Sequence, residues 1–166
     1  TTDYAGLQAH AVVSAAITET ITGSLKVVFA DAKTGANETQ VTVIAEDNLF
    51  VFADFGGTME ADFGIYGNSN GIFDISGNSK GVKGLAGNLV IALSDAATLY
   101  TCLAYAEPDE NDNLEHTLFA TANVDYQWMP AVTVSGGIGY AAPEYRNAAT
   151  NDNETLEFLF RLGVEF

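Results

Sequence analysis

LEFLFRLGVEF, residues Leu156 to Phe166, puts a large apolar side chain at every second position: Leu156, Phe158, Phe160, Leu162, Val164 and Phe166. The residues between them are Glu157, Leu159, Arg161, Gly163 and Glu165. Successive side chains of an extended chain point to opposite faces, so this pattern predicts a β-strand with one apolar face and one mixed, polar face. In a soluble sandwich the apolar face would meet a second sheet and the other would be wetted. A strand with its apolar face against lipid carries the same alternation, and the segments upstream help to separate the two.

Val132 to Tyr140 sets Val132, Val134, Ile138 and Tyr140 against Thr133, Ser135, Gly137 and Gly139. Leu118 to Tyr126 sets Leu118, Ala120, Ala122, Val124 and Tyr126 against Thr121, Asn123 and Asp125. Met59 to Ile65 alternates with Glu60, Asp62 and Gly64, and Leu25, Val27 and Phe29 alternate with Lys26, Val28 and Ala30. Leu7 to Ile17 puts Gln8, His10 and Ser14 on its second face. These segments run to roughly 9 to 13 residues, the length of a tilted strand crossing a bilayer, whereas globular strands are nearer five or six.

The connections alternate too. Short ones fall at 18–23, 56–57, 94–96 and 128–130, and longer polar ones at 33–38, 67–87, 107–115 and 142–153. Short turns at one end and long acidic loops at the other is the organisation of outer-membrane barrels. Tyr126, Trp128 and Tyr140 stand near strand ends, where aromatic girdles are expected.

Composition narrows the field. The 166 residues form one domain, 1–166, and the net charge of −16 repels nucleic acid, which excludes DNA and RNA as partners. The one cysteine, Cys102, cannot close an intramolecular disulfide, and His10 and His116 show no zinc-ligand spacing. No apolar run approaches the ~18 residues of a membrane helix. No basic segment followed by an apolar stretch opens the chain, so a signal peptide has been removed or none existed. Helix formers at helical spacing are missing, and Val, Ile, Thr, Phe and Tyr are abundant, so the fold expected is all-β.

With these features assembled, the chain resembles the Gram-negative outer-membrane porin family. The terminal LEFLFRLGVEF is similar to the assembly signal of outer-membrane barrels, in which an alternating strand ends on an aromatic residue; here Phe158, Phe160, Leu162, Val164 and Phe166 carry it. AITETITGSLKVVFADA (16–32) resembles a porin strand, short turn and strand. FVFADFGGTMEADFGIYGNSNGIFD (50–74) resembles a strand, a Phe-Gly turn, an up-strand and the entry to the long third loop. The resemblance implies a transmembrane antiparallel up-and-down β-barrel in the bacterial outer membrane, passing small hydrophilic solutes and ions by passive diffusion. It leaves open a homotrimer. Bacterial single-chain barrels have an even strand number, so about ten strands are expected here, or a part of a larger barrel.

If the apolar residues of each strand face lipid, the lumen receives Lys26, Asp54, Glu60, Asp62, Asp125, Glu157 and Arg161. The connection 67–87 takes the place of the family's inward-folding loop, and would bring Asp74, Lys80 and Lys83 to a constriction. Charges facing a narrow aqueous pore select ions, and an acidic set favours cations. The same charges could instead pair off and fill a closed lumen.

No catalytic pattern emerges: the serines lack a Gly-x-Ser-x-Gly setting, and Gly81 to Gly87 lacks the Lys-Ser/Thr of a phosphate loop. No cofactor is expected. Asp109, Glu110, Asp112, Glu115, Asp152 and Glu154 offer hard oxygen ligands without EF-hand spacing. A solvated acidic loop explains them, and weak divalent-cation binding is compatible with it. His10 reads as a hydrogen-bonding residue of the polar face, Cys102 as an inert interior thiol beside Tyr100 and Ala104, and His116 as a loop-edge residue. Two other readings remain: a small closed barrel with a structural or surface-interaction role, and a soluble acidic β-sandwich that binds a ligand.

Overall fold

The computed structural model of the protein describes residues 3–4, 7–31, 38–39, 82–109, 114–146 and 154–165. These form β1 (Asp3–Tyr4), β2 (Gln8–Ala16), β3 (Ile21–Ala30), β4 (Glu38–Thr39), β5 (Val82–Ser94), β6 (Ala97–Glu107), β7 (Leu114–Met129), β8 (Val132–Tyr145) and β9 (Thr155–Val164). There is no helix among the described residues. β1 and β4 make a short parallel pair. The other strands form one antiparallel up-and-down sheet in the order β2-β3-β5-β6-β7-β8-β9.

The hairpin turns β2–β3, β5–β6 and β7–β8 all lie at one end of the sheet. Backbone bonds link them in series: Ala92 N–H donates to Thr20 C=O (2.8 Å), Gln127 N–H to Ala96 C=O (2.8 Å), and Glu165 N–H to Ala131 C=O (3.0 Å). The longer connections leave from the opposite end. There Leu7 and Asp31 clamp the mouth of the first hairpin, Asp31 N–H donating to Leu7 C=O and Leu7 N–H to Asp31 Oδ2, each at 2.9 Å. The expected asymmetry of short and long connections is therefore present. The edge strands β2 and β9 both run from the long-connection end to the short-turn end.

The all-β antiparallel up-and-down sheet agrees with the sequence reading, and two connection bounds need correction. The described sheet has seven strands and is not closed, so closure and the count of about ten strands rest on residues outside those described. Val82–Gly87, read as the end of the 67–87 loop, are the first half of β5. β3 pairs directly with β5 from Ile21↔Ile91 to Ala30↔Val82. β8 also continues to Tyr145, past the point where the sequence signalled a loop.

The pairing sorts the side chains into two sets. One face carries Ser24, Lys26 and Val28, then Gly84, Ala86 and Asn88, Tyr100, Cys102 and Ala104, Phe119, Thr121 and Asn123, and Ser135, Gly137 and Gly139. The other carries Leu25, Val27, Leu85, Leu89, Leu103, Leu118, Val124, Ile138, Phe158 and Phe160. Burial runs opposite to a water-soluble sheet. Thr117, Asn123 and Ser135 on the small and polar face are at most 1% exposed, while Leu103 and Phe158 on the apolar face are each 70% exposed and Phe160 is 76% exposed.

Candidate functional site

The polar face is ordered in rows, because residues paired in an antiparallel ladder stand side by side on the same face. One row crosses the whole sheet: Ser14, Ser24, Asn88, Cys102, Thr121, Gly139 and Glu157. A second, nearer the short turns, runs Thr98, Asp125, Ser135 and Arg161. Asp125 and Arg161 thus flank Ser135, about 10 Å apart by strand spacing. Asn123 Nδ2 donates to Asp125 Oδ1 at 3.1 Å, and the hydroxyl groups of Tyr100 and Thr98 are hydrogen-bonded. The result is a polar patch built from three central strands, with opposite charges at its edge.

Two polar atoms on this face, Asn88 Nδ2 and Thr117 Oγ1, are shielded and have no hydrogen-bond partner among the described residues. Buried polar groups in folded proteins are almost always satisfied, by protein or by ordered water. A face that leaves donors and acceptors in this state is suited to water. Phe119 is the exception to its polar character: it stands between Ala104 and Ala141 and is 2% exposed.

Of the charges expected to share an interior, Lys26, Asp125, Glu157 and Arg161 do share this face. Lys83 does not. It stands on the apolar face of β5, opposite Phe29 and Glu107, and its Nζ is ion-paired with Asp109 Oδ1 at 2.7 Å. The reason is one of register: β5 begins before Lys83, and Lys83 shares the parity of Leu85 and Leu89. Asp54, Glu60, Asp62, Asp74, Lys80 and Phe166 lie outside the described residues. Phe158, Phe160, Leu162 and Val164 all fall on the apolar face of β9, and each is exposed. His10 stands beside Val28 on the polar face, and Cys102 is buried between Asn88 and Thr121.

The apolar face has a polar margin at the long-connection end that sequence reading missed. His116 lies within β7, not at a loop edge; its Nε2 is 3.3 Å from Glu144 Oε2, and its ring lies 5.3 Å from that of Tyr105. The Tyr105 hydroxyl donates to Glu107 Oε2 at 3.0 Å, and the Tyr140 hydroxyl is hydrogen-bonded to the Glu154 carboxylate. At the opposite end of the face stand Tyr126, Trp128 and Met129, all exposed. The signal was available, since Tyr105, Glu107, His116 and Glu144 hold the parity of the apolar sets around them. Among the described residues no group of three His, Cys, Asp or Glu side chains gathers as metal ligands.

The chain matches no family model, no curated protein and no solved structure.

Proposed function

We propose that the protein is a porin-like β-barrel of the bacterial outer membrane, through which small hydrophilic solutes and ions diffuse passively and without catalysis. One observation carries this reading: the apolar face of the sheet is the exposed one and the polar face is the buried one. A soluble monomer rarely exposes a contiguous apolar patch larger than a few hundred Å², and a lipid-facing barrel requires a continuous one. The apolar set spans eight residue steps in β3, from Ile21 to Phe29, and in β9, from Leu156 to Val164. At ~3.3 Å per residue that is about 26 Å along the strand, or roughly 20 Å after a tilt of ~40°, comparable with the apolar band of about 25 Å in such barrels.

The aromatic residues at both margins support the same reading, as does the hydration demanded by Asn88 and Thr117. Lys26 and Arg161 balance Asp125 and Glu157 on the described polar face, so the preference for cations rests on the net charge of −16. A closed barrel with a structural or surface role is the second reading, favoured by the bulk of Phe119 in the middle of the polar face. Detergent dependence tests the membrane assignment: a sharp monomeric sedimentation profile in plain buffer rules it out. Planar-bilayer recording then separates the two barrels, since only the first conducts.

A further inference from the structure

At the short-turn end of the polar face, one row sets opposite charges on either side of a hydroxyl. Ladder pairing places Thr98, Asp125, Ser135 and Arg161 side by side across β6, β7, β8 and β9. Ser135 is 1% exposed, Asp125 is half-buried and Arg161 is exposed, so the floor of the row is closed while both charges are within reach of solvent. Gly137 and Gly139 follow Ser135 on the same face of β8, so no side chain of that strand rises between the row and the middle of the face.

Side chains stand roughly upright from a sheet, so two strand spacings, about 10 Å, separate Asp125 from Arg161. Charge-assisted hydrogen bonds of about 2.8 Å at each end leave roughly 4 Å between them. That gap fits a solute carrying an ammonium and a carboxylate close together. The Asp125 carboxylate accepts from Asn123 Nδ2 at 3.1 Å. An ionised carboxylate has acceptor sites for further donors and a guanidinium has several N–H groups, so bonds to a solute add to those made within the protein. A simple anion is drawn by Arg161 and repelled by Asp125, and a simple cation the reverse, whereas a dipolar ion is held at both ends.

We infer that this row is a binding site for zwitterionic solutes of the α-amino acid kind, with the ammonium at Asp125 and the carboxylate at Arg161. It names the solute class favoured by the channel proposed above, and rests on that reading. The net charge of −16 favours cations at long range but exerts no net pull on a solute whose own charges cancel, so for this class the row decides.

The test measures osmotic swelling, near neutral pH, of vesicles carrying the full chain in alanine or in lactamide, its uncharged isomer, with protein-free vesicles as the baseline. Alanine should enter about fivefold faster, the order set by two part-exposed charge contacts acting together. Asp125→Asn with Arg161→Gln should bring the two rates together. Asp125→Arg with Arg161→Asp should restore the difference, because a dipolar ion can turn round, and that recovery shows that the fold survives changes at both positions. Lys83→Gln with Asp109→Asn removes an equal pair of charges away from the row and should leave the ratio unchanged. Equal rates through the unaltered chain, or a ratio that survives neutralisation of Asp125 and Arg161, overturns the inference. Entry of neither isomer overturns the channel reading itself, a separate failure visible before any ratio is taken.

Discussion

Leu118 and Phe119 are consecutive in β7 and stand on opposite faces, the leucine half exposed and the phenylalanine buried between Ala104 and Ala141. The larger side chain is the one withdrawn from solvent, on the face that is otherwise small and polar. Phe119→Ala should therefore cost about 3–5 kcal/mol through the lost burial and the cavity left behind. Leu118→Ala should cost less in detergent, because detergent tails fill the space it leaves and only the transfer term is lost. Urea titration of the folded protein in detergent measures both, and similar values would contradict the burial difference.

Phe160 is the most exposed large side chain of β9, and its neighbour Arg161 faces the other way. Phe160→Arg should destabilise the bilayer-inserted protein by about 2–4 kcal/mol, the range for a cation near the middle of a lipid-facing band. Leu159→Arg, on the polar face, should be tolerated better. Refolding yields into vesicles decide the order, and equal losses would count against the assignment of faces.

Asp125 and Arg161 flank Ser135 on the polar face, so neutralising either should move ion preference in opposite senses. Asp125→Asn is expected to shift selectivity toward anions and Arg161→Gln toward cations. Reversal potentials across a salt gradient read the sign. Asp125→Asn also weakens the charge-assisted bond from Asn123, so its stability should be checked alongside.

Cys102 is 2% exposed and set between Asn88 and Thr121. A bulky maleimide should leave the folded protein unlabelled for hours and label it fully after denaturation, which intact-mass measurement reads directly. Rapid labelling of the native state would mean that the polar face is wide open at this level.

Much of this arrangement was written in the alternation of β7, β8 and β9, where one residue in two is large and apolar and the face assignments follow from parity alone. β5 was harder to read. Gly84 and Ala86 lie against Ala106 and Ala104, so the inward set of this strand is small, and a run of small residues resembles a loop. That is why Lys83 was expected in a constriction. Pro143 misled in the same way at the end of β8. It lies beyond Ala141↔Thr155, the last pair with β9, so that side of β8 behaves as an edge, where a missing N–H breaks no ladder. The pairing of β3 with β5 has no local signature, since their register joins residues far apart in the chain.

The common direction of β2 and β9 fixes the arithmetic of closure. If the two edges met each other, the seam would be parallel, with slanted hydrogen bonds and slightly weaker pairing per residue. If the seam is antiparallel throughout, every strand inserted between them must reverse the one before it, so their number must be odd. Seven strands and an odd supplement make an even ring.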